Sequence, residues 1–195
     1  MTKTIYLDNN STTSVLTPVV EAVIESLNAN NESNPSSVHS FGQRARYRLT
    51  EARNKIAECL GVRPSEIIFT SGGTEGVNML IKGLLQSDRP GHVISSNIEH
   101  SSVMTTLAAM EKEGFSCTYL QAGRWGAVTA EAVEEAIRHD TRLIAIMAVN
   151  NETGVKTDVD ALAAIAAARK IPLMLDGVSW FGKEPIKIPV GATAV

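Results

Sequence analysis

The sequence predicts an α/β fold in which helices cover both faces of a mainly parallel sheet. Helical and strand-like patterns alternate along most of the 195 residues, and this order is typical of a parallel sheet. The strand-like segments are continuous apolar runs, such as residues 143–149, which indicates strands that are buried on both faces. A hydrophobic content of 44% is consistent with such a core.

The predicted helices have recognisable ends. Thr17 and Pro18 open the first helix, where proline is tolerated because a first-turn N–H has no partner within the helix. Gly61 ends the second helix, since glycine accepts the left-handed conformation that closes many helices. Helices are predicted over residues 17–27, 41–60, 74–85, 101–113, 131–138 and 159–170, and strands over residues 66–69, 92–95, 117–120, 143–149 and 173–175.

Composition and charge argue against several classes of protein. The formal net charge is −3 and the basic residues are scattered, so we expect no nucleic-acid partner. The apolar runs are shorter than the roughly 20 residues of a membrane span, and the start of the chain has no apolar signal core. We therefore predict a cytoplasmic protein without a membrane partner. Cys59 and Cys117 are not closely spaced, and the histidines lack metal-ligand spacing, so neither disulfides nor a metal site is predicted.

Polar residues follow four of the predicted strands at the point where each strand ends. Ligands of open parallel sheets bind outside the carboxyl ends of the strands, so we expect these clusters to meet at one edge. The turn before Thr74 leads directly into a helix, whose free N–H groups and dipole favour a phosphate. A plain turn in which Thr74 caps the helix is the alternative. The clusters are residues 70–76, 97–100, 150–154 and 176–179.

Three further candidates have both a functional and a structural interpretation. Asp176 ends an apolar strand, where a lone carboxylate is costly to bury. A protonated ring nitrogen of a cofactor would satisfy it, and backbone capping is the alternative. His100 lies between a strand and a helix, where it could instead cap the helix. Asn151 lies in a turn, where asparagine is common.

Residues 177–183 fit most of a P-loop, but Glu184 stands where the magnesium-binding Ser or Thr is needed, so we reject a P-loop.

Taken together, these clusters resemble the cysteine desulfurases, which are pyridoxal-phosphate (PLP) enzymes of the class V aminotransferase family. The resemblance is colinear from Tyr6 to about Ile188. It is carried by YLDNNSTT at residues 6–13, NPSSVH at 34–39, FTSGGTE at 69–75, EH at 99–100, VNNETG at 149–154 and DGVSWFGK at 176–183.

The resemblance implies PLP as the cofactor and a role for each candidate residue. His100 would lie over the cofactor ring and act as the catalytic residue in proton transfer. Ser179 stands where the family usually has glutamine, so its contact with the cofactor is expected to be shortened or lost. The implied cofactor-binding residues are Gly73 and Thr74 at the phosphate, His100 at the ring face, Asn151 at the phenolic oxygen, Asp176 at the ring nitrogen, and Ser179.

The resemblance also implies how the chain is organised. An N-terminal arm with a short strand would occupy residues 1–15, and a partial PLP-binding large domain would occupy residues 16–195. The chain stops before the Schiff-base lysine and the small C-terminal domain that the family has, so we expect the isolated chain to be inactive. Cys59 and Cys117 match no persulfide cysteine of the family, and their positions predict packing roles.

The implied activity converts L-cysteine to L-alanine and transfers the sulfur to a protein persulfide. The implied partners are L-cysteine, a sulfur-acceptor protein, and either a second copy in a homodimer or a complementing C-terminal chain. An iron–sulfur cluster scaffold and a tRNA-thiolation protein are both open as acceptors. Another class V enzyme, such as a selenocysteine lyase or an aminotransferase, is an open alternative, and so is a non-catalytic scaffold that retains the fold.

Overall fold

The computed structural model describes residues 5–10, 12–28, 33–86 and 89–195. Over these ranges, no helix combines the length and the apolar character needed to cross a membrane. The chain divides into two compact units, Met1–Ile68 and Phe69–Val195. Residues 5–10 and 12–15 contain no strand. The predicted domain boundary after residue 15 stays a prediction.

The described residues of the first unit form two helices and a short turn. Helix α1 spans Thr17–Asn28, and helix α2 spans Ser40–Leu60, in agreement with the predicted positions. His39 caps α2 with a side chain that accepts a backbone N–H of the first turn. Gly61 ends α2 at φ 68°, which is the left-handed conformation expected of a closing glycine.

The predicted strand over residues 66–69 is wrong. Pro64–Glu66 form a 3₁₀ turn instead, in which the Glu66 carboxylate accepts the Arg63 backbone N–H at 2.7 Å and pairs with the Arg63 guanidinium at 2.8 Å. Ile67 then has extended backbone angles, φ −90° and ψ 124°. The described part of the chain provides no neighbouring strand for this segment. An extended backbone becomes a strand only when a neighbour accepts its hydrogen bonds, and a local pattern cannot reveal that neighbour.

Four parallel strands form the centre of the second unit. They are β1 (His92–Ser96), β2 (Ser116–Leu120), β3 (Thr141–Met147) and β4 (Leu173–Asp176). Their order in the sheet is β2-β1-β3-β4, and each adjacent pair is parallel. Each strand lies within a few residues of its predicted position, because the continuous apolar runs mark strands that are covered on both faces.

Helices cover both faces of this sheet, which confirms the predicted fold class. They are α3 (Gly73–Leu84), α4 (Ser101–Lys112), α5 (Ala130–Ala136) and α6 (Val159–Arg169). One core cluster joins α3 and α4 to the first face of the sheet, and a second joins α5 and α6 to the other face. The first cluster includes Val77, Ile81, Leu107, Val93 and Leu143, and the second includes Val133, Leu162, Ala166, Ile94 and Ile144.

The last residues of the chain lie along the outer edge of β4. Met174 and Ala194 form a parallel bridge, and the Leu175 backbone N–H donates to the Ala194 carbonyl at 2.9 Å. The sequence predicted no regular structure for residues 184–195. No hydrophobic periodicity in the sequence predicts this short pairing. It nevertheless gives part of the β4 edge a hydrogen-bonded neighbour.

His92 links three strands at the amino end of the sheet. Its side chain is fully buried, with Nδ1 2.9 Å from the Thr141 hydroxyl on β3 and Nε2 2.8 Å from the Thr118 hydroxyl on β2. Burial lowers the pKa of His92, the positive charge of Arg138 lowers it further, and Asp140 opposes the shift. The native state therefore favours a neutral imidazole at this position.

We expect the pH dependence of stability to include a contribution from His92. Below the ordinary histidine pKa of 6.5, the unfolded chain takes up a proton that the buried imidazole resists, so stability falls with falling pH. His92→Gln should reduce this loss in urea unfolding measured between about pH 5 and 8. His139→Gln, at an exposed histidine, is the control. An unchanged pH dependence in His92→Gln would contradict the assignment.

Candidate functional site

The carboxyl ends of β1, β3 and β4 lie at one edge of the sheet, and a predicted site residue belongs to each of them. His100 follows β1, Asn151 follows β3, and Asp176 ends β4. The consecutive strands β2 and β3 lie on opposite sides of β1, and such a reversal of strand order opens a crevice at the carboxyl edge. All six predicted cofactor-binding residues line one cavity of about 160 Å³. Its lining consists of Gly73, Thr74, His100, Ser102, Met147, Val149, Asn151, Asp176, Val178 and Ser179.

The first turn of α3 forms one end of this cavity. The helix begins at Gly73 with Gly72 as its N-cap, so Thr74 is not the cap that the structural alternative required. First-turn N–H groups have no acceptor within a helix, and the helix dipole is positive there. A Cβ added at Gly73 would come within 2.9 Å of Val178 Cγ2, so a larger residue would crowd the cavity where the helix starts.

Glu75 places a carboxylate in the same turn, but this group is already engaged. Its Oε2 accepts both the backbone N–H and the hydroxyl of Ser71, each at 2.6 Å. These hydrogen bonds lower the pKa of Glu75 although the group is exposed to solvent. Glu75 is not among the residues that line the cavity. The first-turn N–H groups therefore set the electrostatic potential at this end of the cavity.

Asp176 forms the acidic floor of the cavity. It is 9% exposed, and its Oδ1 accepts the Val178 backbone N–H at 3.0 Å, so the capping interpretation is confirmed for this oxygen. Within the described ranges, no Lys, Arg or His side chain forms an ion pair with the carboxylate. A buried carboxylate without a cation is costly, and a protonated ring nitrogen of PLP would fit it. Ser179 is also 9% exposed and lines the same cavity, and its shortened cofactor contact stays a prediction.

His100 combines the capping role with a place in the cavity wall. It is the N-cap of α4, with Nδ1 accepting the Ser102 backbone N–H at 3.1 Å and lying 2.8 Å from the Ser102 hydroxyl oxygen. Since Nδ1 is an acceptor, the neutral ring has its proton on Nε2. The imidazole is exposed and lines the cavity, so it can contact a bound ligand.

The two adjacent asparagines have different environments that the sequence did not distinguish. Asn150 is buried, and its Oδ1 accepts the backbone N–H groups of Glu152 and Thr153 at 3.0 and 2.8 Å. Its amide also donates to the Ile98 carbonyl at 3.2 Å, which joins the loop after β3 to the loop after β1. Asn151 is half-buried and lines the cavity. Asn150 thus shapes the turn that presents Asn151.

Glu99 lies beside the cavity wall, next to His100, and no role of its own was predicted for it from the sequence. It is 8% exposed, and its Oε1 accepts the Ser96 hydroxyl at 2.5 Å. Burial raises the pKa of Glu99 to about 7, hydrogen bonds from Ser96 and the Met147 backbone oppose this shift, and the charge of Asp176 adds to it. One feature of the sequence could have identified Glu99: it is an acidic residue that directly precedes the candidate His100, just after a predicted buried strand.

The two cysteines differ in burial. Cys117 packs against the first core cluster, which confirms its predicted packing role, and burial raises the pKa of its thiol to about 11. Cys59 is exposed, so the predicted packing role is wrong for this residue. Ala57 is buried in α2, and a position two residues further on a helix lies about 200° around the axis, on the opposite side.

The environments of the two asparagines predict different effects of truncation. Asn150→Ala removes a buried side chain that accepts the Glu152 and Thr153 backbone N–H groups and donates to the Ile98 carbonyl, so we expect a loss of about 2–4 kcal/mol in the free energy of unfolding. Asn151→Ala is the matched control, with an expected loss below about 1 kcal/mol. Urea unfolding of both variants measures the difference. Equal stabilities would contradict the role assigned to Asn150.

Comparison with known proteins identifies relatives with this arrangement. Residues 5–190 match the aminotransferase class-V family. The cysteine desulfurase IscS of Methanosarcina thermophila is 40% identical over 188 residues, which cover 95% of this chain and 46% of that protein. The structure of SspA in complex with cysteine superposes with a TM-score of 0.90 and 37% identity, over 95% of this chain and 54% of that chain. The structure of a NifS-like protein from Rickettsia africae superposes with a TM-score of 0.84 and 32% identity, over 97% of this chain and 52% of that chain.

These comparisons confirm the resemblance that the motifs indicated. The chain spans about half the length of the relatives that it matches, and it corresponds to their N-terminal portion. PLP is the cofactor of this family, as the sequence predicted. The match covers most of both units of the chain and includes all six predicted cofactor-binding residues. The chain therefore belongs to the class V aminotransferase family and is similar to the N-terminal portion of its cysteine desulfurases.

Proposed function

We propose that this chain supplies the PLP-binding part of a cysteine desulfurase, which converts L-cysteine to L-alanine and transfers the sulfur to a protein persulfide. One observation carries the proposal: a single cavity has a buried carboxylate without an ion pair at its floor and a helix N-terminus at its rim. The relatives support the reaction, since one is named a cysteine desulfurase and another was solved in complex with cysteine.

The two ends of the cavity have opposite electrostatic character. Asp176 gives the buried floor a negative charge, while the first turn of α3 gives the exposed rim at Gly73 and Thr74 a positive potential. PLP carries a protonatable ring nitrogen and a phosphate at separate positions on its ring. Bound with the nitrogen at the floor, it meets a favourable charge at both ends, whereas the reversed ligand meets a like charge at each.

Each residue then has a defined chemical task. When bound, PLP supplies a ring that accepts electrons from the substrate Cα. Asp176 holds the proton on the ring nitrogen, because its carboxylate stabilises the adjacent positive charge. His100 offers a proton on Nε2 and can move it between substrate and solvent. Asn151, which lines the cavity, would hold the phenolic oxygen by a hydrogen bond from its side-chain amide and so help to orient the ring.

The proposal extends to the partners of the enzyme. A persulfide must pass its outer sulfur to another nucleophile before the enzyme can turn over again, and we propose that this acceptor is a protein. We do not assign that persulfide to Cys117, because its side chain packs against the first core cluster and burial raises the pKa of its thiol, which disfavours the nucleophilic thiolate. Homodimer formation, cytoplasmic location and the assignment of residues 16–195 to one large domain stay predictions.

Cofactor binding tests the site itself. We expect Asp176→Asn to weaken PLP binding about 10- to 100-fold, because it removes a charge-assisted hydrogen bond worth about 1.5–3 kcal/mol. Asp158→Asn is the matched control, since Asp158 caps α6 outside the cavity and asparagine is an equally good N-cap. Absorbance titration measures both affinities. An unchanged affinity in Asp176→Asn would place the ring elsewhere.

Turnover tests the proposed reaction. The chain is joined to the C-terminal half of the Methanosarcina thermophila relative, and alanine released from cysteine is measured. Asp176→Asn should lower turnover on the order of a thousandfold, because the deprotonated ring accepts electrons poorly. His100→Ala should lower it roughly a hundredfold or more through loss of a proton carrier.

Cys59→Ala and Cys117→Ala are the controls for the turnover experiment and should leave alanine release nearly unchanged. The contrast with the two site variants is the informative result. If Asp176→Asn retains near-normal turnover, the assigned site is wrong. If a cysteine variant abolishes turnover without unfolding the protein, the sulfur chemistry has been misassigned.

A further inference from the structure

Glu99 lies at the point where the loops of the carboxyl edge meet, yet it does not line the cavity. It is more than nine-tenths buried between the ends of β1 and β3, where it contacts Ser96 and the Met147 backbone. Its Oε1 is satisfied by the Ser96 hydroxyl. Its Oε2 is fully buried and has no hydrogen-bond partner in the described part of the chain. An ionised carboxylate with one orphaned oxygen is strongly disfavoured in such a place.

The charged surroundings of Glu99 make ionisation harder still. Asp176 at the end of β4 is a second buried carboxyl group, and its charge raises the pKa of Glu99 in addition to the effect of burial. His100, the adjacent residue at the start of α4, is the other titratable neighbour. Ser96 on β1 and Met147 on β3 carry no charge. No cation of the described residues forms an ion pair with either carboxyl group.

We propose that Glu99 is a proton-linked positioning residue of the cofactor site: it is a neutral acid in the empty site and releases its proton when a cationic pyridine-type ring binds against Asp176. This inference rests on the proposed PLP site. The ring supplies the positive charge that the two buried carboxyl groups lack. The proton leaves Glu99 Oε2 for solvent, and the resulting carboxylate adds to the negative potential that holds the ring in place.

The physical basis is thermodynamic linkage. A cation near Asp176 neutralises the charge that opposes ionisation of Glu99 and attracts the new carboxylate, so ligand binding lowers the pKa of Glu99 from about 7. By reciprocity, loss of the Glu99 proton strengthens binding of the cation. Affinity for a cationic ring should therefore rise with pH through this region, beyond the ligand's own titration.

The test measures protons released on binding. The probe is 4-deoxypyridoxine 5′-phosphate, which has the ring nitrogen and the phosphate but no aldehyde that could react with lysines. Calorimetric titration of the purified chain in buffers of different ionisation enthalpy gives the number of protons released. Near pH 6, the wild-type chain should release up to about one proton more than Glu99→Gln, which has nearly the same shape but cannot ionise. Glu113→Gln, at an exposed glutamate outside the cavity, should match the wild type.

A second readout does not depend on the variants. Carbon-13 NMR of the side-chain carboxyl groups should show a group that titrates near pH 7 in the free wild-type chain, and its midpoint should move down when the probe saturates the site. Equal proton release by wild type and Glu99→Gln, or a midpoint that the probe does not move, would overturn the inference and leave the proposed function intact. If the probe binds Asp176→Asn as tightly as wild type, the proposed cofactor site fails, and the inference fails with it.

Discussion

Parallel pairing of β1, β3 and β4 is the constraint on which the site depends. Met147 and Asp176 are partners in the β3–β4 register, and the Ala148 backbone N–H donates to the Asp176 carbonyl at 2.9 Å. The acidic floor is therefore fixed by sheet hydrogen bonds and not by the conformation of a loop. Because every strand runs in the same direction, the loops after β1 and β3 meet at that same edge, where Asn150 hydrogen-bonds one to the other.

The electrostatics of this edge oppose folding and favour a ligand. Asp176 and Glu99 are buried carboxyl groups without ion pairs among the described side chains, while the first turn of α3 has N–H groups with no helical acceptor. The buried carboxyl groups lower the stability of the empty protein, and the first-turn N–H groups add nothing to it. A ligand with a cationic ring and a phosphate supplies a positive charge to the carboxyl groups and an acceptor to the N–H groups. Its binding free energy therefore also stabilises the folded state.

Much of this arrangement was predictable because it is encoded locally. Continuous apolar runs marked the strands, and polar residues directly after them marked Asp176, His100 and Asn151. The failures depend on information that no local pattern holds. Glu66 closes a 3₁₀ turn, and the extended backbone that starts at Ile67 has no strand neighbour in the described part of the chain. Cys59 lies on the side of α2 opposite the buried Ala57. The burial of Glu99 between β1 and β3 likewise depends on the folded sheet and has no local sequence signal.

The central claim is that PLP binds with its ring nitrogen on Asp176 and its phosphate on the start of α3. A crystal structure of the chain with 4-deoxypyridoxine 5′-phosphate tests this claim most directly. The account predicts the ring nitrogen at about 2.7–2.9 Å from an Asp176 carboxylate oxygen, with the phosphate against the backbone N–H groups of Gly73 and Thr74. A ring nitrogen that faces away from Asp176, or a ligand in the polar groove between α3 and α4 near Asn78 and Lys82, would contradict it.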